Sequence, residues 1–304
     1  MRSVKYPTLW LGGFGLVLLL FLFLFGPHLP NVDKEVSETS YYFNGKTTDL
    51  DIHLPPYPPS DKFILGSDSE GHDMYSAMIM GTRETLLTVF IISIVTFAFA
   101  IPFGLGASHI PFLRIILEGW NILFSRVPAL FLILIVCTIP VFLLSPHRPI
   151  YMIVLIIILE IGKMAELVFQ SIKEIQKTAY YEAAKTMGTK VFGMWKWYYW
   201  PSCSPLWLSS FITHIGSILF LIGQLGLFNI FLSQQLFQRA GGPGQTVYGI
   251  ENISNVWPVY LNNIFNNMIS APWVPITAAS FIAFSMLTFI LLGDGLLKYF
   301  RKLE

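Results

Sequence analysis

Charge is what this sequence has least of. Asp, Glu, Lys and Arg make up 12% of the 304 residues, against about 25% in an ordinary soluble domain. So few charges cannot cover the surface of a soluble protein of this length. The same scarcity excludes a disordered chain, which would be polar and charge-rich. Neither sign dominates: 19 basic and 18 acidic residues leave a net charge of +1, so no overall basic field points to nucleic acid. Cysteine is nearly absent, and Cys137 and Cys203 stand far apart in or beside apolar runs. That disfavours both a disulfide framework and a Cys-based zinc site. The motifs G-x-x-x-x-G-K-[ST], H-E-x-x-H and G-x-S-x-G do not occur, which removes the P-loop and the common zinc-protease and serine-hydrolase signatures. What is abundant is apolar surface: 54% of residues are hydrophobic and mean hydropathy is +0.61. This is the composition of an all-α polytopic membrane protein.

A helix needs roughly 20 apolar residues to cross a bilayer core of about 30 Å. Six stretches meet or approach that length: Leu9 to Gly26, Thr85 to Ser108, Val127 to Ser145 (entered from about Leu113), Pro149 to about Phe169, Pro205 to about Ser233, and Ala271 to Lys298. The first follows Arg2 and Lys5 but is longer than the apolar core of a signal peptide and no A-x-A site follows it, so it reads as an uncleaved span. Between the first two spans lies a Pro-rich, acidic segment with Asp33, Glu35, Glu38, Asp49, Asp51, Asp61, Asp68, Glu70 and Asp73. Between the fourth and fifth lies a basic one with Lys163, Lys173, Lys177, Lys185, Lys190 and Lys196, and the tail adds Lys298, Arg301 and Lys302. Basic loops mark the cytoplasmic side. Both termini are therefore expected in the cytoplasm, with the acidic segment and the Gln234 to Ser270 stretch outside. Residues 1–83 form an N-terminal span plus outer segment, and 84–304 the main transmembrane unit.

The basic loop, about 173–201, is too long for a simple connection. Ala179, Ala183, Met187 and Val191 form an apolar stripe from which Glu182 and Lys185 are absent. That is a short amphipathic helix, suited to a partner protein or to the lipid surface. Gly188 permits a sharp turn, and Pro201 is expected to open the next span, where its missing N–H is harmless. Trp195, Trp197, Tyr198, Tyr199 and Trp200 read as interfacial anchors, with Lys196 placed for cation–π contact.

Glu182-Ala183-Ala184, Gly188 four positions after the last Ala, and Pro201 thirteen after the Gly resemble the EAA loop of ABC importer permeases. The aromatic Tyr198-Tyr199-Trp200 stands where that family usually has Ile or Leu. Leu65 to Asp73 (LGSDSEGHD), with Gly66, Asp68, Gly71 and Asp73, resembles the signature before the second span in the dipeptide/oligopeptide/nickel branch, with His72 in the usual place of Arg. Gly293-Asp294-Gly295 within LLGDGL resembles that branch's ending at the last span. The resemblance covers nearly the whole chain and implies a MetI-like permease core with an extra N-terminal span, in a prokaryotic plasma membrane. It further implies two ABC ATPase subunits, which carry ATP and Mg, a second homologous permease forming a heterodimer, and an external binding protein. Glu182, Ala183, Ala184 and Gly188 would then belong to a helix docking into the ATPase. Peptides are the substrate it points to first; nickel or a metal chelate is the alternative, and a self-sufficient channel or secondary transporter is a further rival. No cofactor, metal site or catalytic residue is expected on this chain.

Several polar residues lie within or beside spans. His214, in the fifth, either lines the pathway or bonds a neighbouring helix. Glu160, Lys163 and Glu166 have the i, i+3 spacing of mutual pairs, and Glu118 and Arg126 are placed to snorkel. Asp68, Glu70, His72 and Asp73 read as a solvated or locally ordered loop more than as a metal site. Gly241 to Thr246 reads as an ordinary loop, and Asn252-Ile253-Ser254 as a sequon without meaning in a prokaryotic membrane.

Overall fold

The computed structural model describes residues 6–33, 42–46, 49–53, 55–125, 127–143, 145, 147–230, 234–242, 245–252 and 255–302. Arg126, Glu35, Glu38 and Ile253-Ser254 of the sequon lie outside them. The first described helix is α1 (Pro7–Phe25), followed by an antiparallel hairpin of β1 (Tyr42–Lys46) and β2 (Asp49–His53). Next come α2 (Met74–His109), α3 (Pro111–Ser125), α4 (Ala129–Cys137), α5 (Pro140–Leu143) and α6 (Arg148–Gln176). The basic loop holds α7 (Ala179–Thr186) and α8 (Val191–Met194), and α9 (Trp200–Leu227) follows. A second antiparallel hairpin, β3 (Gln234–Gly242) and β4 (Gln245–Asn252), precedes α10 (Ile264–Ser270) and α11 (Trp273–Phe300). The glycine-rich 241–246 stretch is thus mostly strand ends, with Pro243 and Gly244 outside the described residues.

Four helical stretches are long and apolar enough to cross a membrane: Pro7–His28, Met74–His109, Phe192–Leu227 and Trp273–Phe300. The pair Pro111–Phe124 and Ala129–Cys137, bent by 78°, makes a fifth if it is one span. The sixth long passage is α6, whose apolar first half gives way to Glu160, Lys163 and Glu166. The expected third span, Val127 to Ser145, is not one helix. Pro140 lacks an N–H and restricts the residue before it, and the chain stops at Thr138, whose Oγ1 donates to the Ile135 carbonyl at 2.6 Å, before restarting as α5.

Packing is organised around a helix trio and a helix pair: α11 lies between α9 and α1, and α2 lies along α6. Helix association in lipid depends on close backbone approach more than on burial of apolar area, and small residues supply it here. A side chain at Gly12 would meet the backbone of Leu292, and one at Gly15 the side chain of Thr288. On the facing helix, a side chain at Gly295 would meet the backbone of Leu9. Trp257, in the segment before α10, is fully buried in the main core and donates its indole N–H to the Met78 carbonyl of α2 at 2.8 Å.

Candidate functional site

The basic loop is built from two local rules. Helix α7 ends because Gly188 adopts φ +77°, a left-handed conformation that costs L-residues energy and glycine almost nothing. Its N–H bonds to the Lys185 carbonyl at 3.0 Å, and that of Thr189 to the Ala184 carbonyl at 3.2 Å. This is a Schellman cap, which satisfies carbonyls the helix end leaves open. Open space surrounds the Gly188 Cα, so the demand on this residue is conformational and not steric.

The second rule concerns the return to the membrane. Pro201 is the second residue of α9, yet the helical path does not start with it. The helical path begins at α8, passes through a π-turn at Trp195–Tyr199 and continues into α9. A proline cannot donate to the carbonyl four residues back, and a wider turn just ahead of it is a known way for a helix to absorb that loss.

The π-turn also selects which aromatic points inward. Tyr199 is fully buried, while Trp197 and Trp200 are 69% and 48% exposed. Tyr199 is therefore not an interfacial anchor. Its hydroxyl donates to the Tyr181 hydroxyl of α7 at 2.9 Å, accepts from Gln176 Nε2 of α6 at 3.1 Å and lies 3.3 Å from His109 Nε2 at the end of α2. The Tyr181 and Tyr199 rings stack at 5.8 Å. The cation–π contact expected at Lys196 forms over Trp197, at 5.1 Å.

Around that anchor the EAA-like residues divide. Ala184 is fully buried on the bundle side with Ile175, Met194 and Tyr199. Ala179, Glu182, Ala183, Lys185 and Met187 all face outward, Met187 being 75% exposed. Ala179, Ala183 and Met187 of the apolar stripe are thus not covered by the described residues. The helix is held by one face and offers the other.

The 65–73 segment forms a compact knot at the opposite end of α2. Asp68 Oδ1 accepts from the backbone N–H groups of Glu70 and His72 at 2.9 and 2.8 Å, and Oδ2 pairs with His72 Nδ1 at 2.8 Å. Asp73 caps α2, accepting from Ser76 N at 2.9 Å and Ser76 Oγ at 2.6 Å. Gly66 and Gly71 both adopt positive φ, and a side chain at Gly66 would run into the Trp273 indole. That indole donates to the Ser67 carbonyl at 2.8 Å, tying the knot to the start of α11. Asp68 and Asp73 are therefore structural, and no group of three metal-ligating side chains occurs among the described residues. Close by, burial together with the carboxylates of Asp68, Glu84 and Glu70 holds the Tyr260 phenol above its ordinary value.

No family model matches the chain. Over 240 residues it is 25% identical to the glutathione transport system permease protein GsiD of Pectobacterium atrosepticum, a match covering 78% of this chain and 72% of that protein. The resemblance to ABC importer permeases holds. The extra N-terminal span and all-α membrane core that it implies agree with the helices described above.

The remaining polar residues divide between contacts across helices and pairs within one helix. At the last span, Gly293 meets α9, where Ser209 Oγ donates to its carbonyl at 2.7 Å. Asp294 pairs with Lys298 at 2.5 Å, and Gly295 meets α1. His214 is buried: its Nδ1 lies 3.2 Å from Ser93 Oγ on α2, and its Nε2 lies 3.8 Å from Glu160 Oε2 on α6. His214 thus bonds α2 through Nδ1, while its buried Nε2 lies near Glu160 without a hydrogen bond. Glu160 pairs with Lys163 at 2.6 Å as the spacing foresaw. The Lys163–Glu166 pair does not form; Glu166 accepts instead from Gln170 at 2.6 Å and from Asn121 of α3 at 3.1 Å. Glu118 pairs with Arg114 at 2.7 Å.

Proposed function

We propose that the chain is the permease subunit of a binding-protein-dependent ABC importer and that α7 is its coupling helix. The observation that carries this reading is the division of α7 into a face anchored on the bundle and an unpartnered apolar face containing Ala183 and Met187 beside Glu182. A helix held this way acts as a lever. Force applied to its free face passes through Tyr181 and Tyr199 to the ends of α2, α6 and α9, the helices whose repacking would switch the pathway between inward-open and outward-open. The ATP and Mg belong on two separate ATPase subunits, since this chain has no P-loop. Glu182 is placed for polar contact with an ATPase, Ala183 for close approach, and Gly188 for the turn.

The transported substrates are peptides delivered by an external binding protein. The glutathione permease relative supports this choice, since glutathione is itself a small peptide. The pathway is completed by a second, homologous permease. The chain lies in a prokaryotic plasma membrane with both termini cytoplasmic, in keeping with the acidic 28–83 segment on one side and the Lys-rich loop on the other. Mild-detergent purification from the native membrane tests the reading. Two ATPase subunits and a second permease should accompany the chain, and its recovery alone from several mild detergents would count against an importer.

A further inference from the structure

Where α9 enters the bundle it bounds a groove of about 440 Å³, within the roughly 300–1,000 Å³ of pockets that hold small molecules. Phe97 and Ile101 of α2 form one wall, Trp200, Trp207 and Phe211 of α9 another, and Phe300 of α11 closes one end. The walls are stiff. Phe97 and Phe211 meet edge to face at 5.3 Å, and Trp200 and Trp207 at 6.2 Å, the arrangement aromatic rings prefer. Trp207 is buried and donates its indole N–H to Ser171 Oγ of α6 at 2.9 Å. Trp200 and Leu208, which also lines the groove, are each 48% exposed. The groove therefore opens on the flank of the bundle. Trp200 opens α9 and Phe300 ends α11, so it lies toward the coupling-loop end. Two cations stand at that end: Arg301 and Lys302 follow Phe300, and both are exposed. Neither forms an ion pair among the described residues; Lys302 Nζ lies 6.0 Å from the Tyr6 ring. Asp294, the carboxylate one to two turns earlier on α11, is already paired with Lys298.

We infer that this groove binds one acyl chain of an anionic phospholipid, whose headgroup is held by Arg301 and Lys302. An apolar slot at membrane depth with cations at its mouth matches both halves of such a lipid. Basic residues at the membrane surface attract anionic headgroups, and basic pockets between spans bind them. Guanidinium in particular suits the oxygens of a phosphate. Trp200 directly follows the π-turn, and its ring packs on Trp195 within that turn at 5.5 Å. A chain seated against Trp200 thus braces the return of the coupling loop into the membrane. The inference rests on the membrane reading of the bundle and not on the substrate.

The test follows thermal unfolding of the purified, delipidated complex as dioleoyl phosphatidylglycerol or dioleoyl phosphatidylcholine is added to the detergent. Both lipids should raise the unfolding temperature. The anionic one should reach half its effect at a mole fraction about fivefold lower or less. The double variant Arg301→Gln, Lys302→Gln should lose that difference and keep the response to phosphatidylcholine. Ser204, which lines the groove, gives the converse variant: Ser204→Trp fills the slot and should abolish both responses. A second measurement guards against a folding defect in Ser204→Trp. With the photoreactive p-benzoylphenylalanine in place of Leu208, irradiation of the native membrane should give an adduct of phospholipid mass. Equal responses to the two lipids, or a preference that survives the double variant, would overturn the headgroup site. No lipid adduct would overturn the chain site, and an adduct with a protein would make the groove an interface with a second permease. If the chain purifies with no ATPase or second permease, the importer reading fails. The same lipid comparison on the chain alone still decides the groove.

Discussion

The hydroxyl of Tyr199 joins four elements, so its removal has a defined cost. Tyr199→Phe leaves Gln176 Nε2 and the Tyr181 hydroxyl without their partner while keeping the ring stack. A lost buried hydrogen bond is worth about 1–3 kcal/mol, so the variant should unfold at a lower temperature. Amide exchange should rise in α7 more than in α2 or α6; uniform exchange would deny the anchor. Glu160 makes a second case. Glu160→Gln leaves Lys163 without its carboxylate partner and weakens the contact with His214. Loss of a charge-assisted bond costs about 1.5–3 kcal/mol, reduced here because Lys163 is 45% exposed on its side chain. A detectable fall in melting temperature is expected, and an unchanged one would show the pair to be incidental. Glu160–Lys163 was legible because i, i+3 geometry is local. The inward turn of Tyr199 was not. A π-turn fits an extra residue into the turn, so a 3.6-residue period misassigns which ring of a run of aromatics faces the bundle.

Among the elements, α1 and α11 show how a small change decides a helix contact. Gly12, Gly15 and Gly295 let these backbones approach where any side chain would collide. Gly12→Leu or Gly295→Leu should detach α1 from α11, read out as lost cross-linking between cysteines placed on the two helices, whereas Gly13→Leu, beside open space, should be silent. Equal cross-linking in all three variants would contradict the packing. The long, uncharged helices were legible as spans because hydropathy and length speak directly. The break of the third was not: Pro140 was visible in the sequence, but an apolar run on both sides of it masks a helix end, since helices in membranes often tolerate proline. The two hairpins were not foreseen: β2 alternates polar and apolar residues over Asp49–His53, but that run is only five residues long inside an acidic, Pro-rich segment, and β3, QQLFQRAGG, shows no such period. The EAA-like spacing located α7, Gly188 and the apolar stripe. Its outward orientation required the tertiary contact of Ala184 with the bundle.

For the molecule as a whole, α7 and the 65–73 knot lie at opposite ends of α2 and so, in the proposed topology, on opposite sides of a membrane. Cys137 and Cys203 are buried, so single cysteines can report sidedness against a quiet background. A membrane-impermeant thiol reagent added to intact cells should label Asp61→Cys and not Met187→Cys, both positions being exposed, and the reverse pattern would invert the topology. The central claim is that α7 transmits the work of an ATPase, and Gly188 allows it to be tested with almost no change in contacts. Its left-handed backbone costs an ordinary residue about 1–2 kcal/mol, while asparagine visits that region readily. In proteoliposomes holding the complete importer, peptide uptake per ATP hydrolysed should persist in Gly188→Asn and collapse in Gly188→Val, with both variants assembling normally. Uptake unchanged in Gly188→Val would contradict the role assigned to α7.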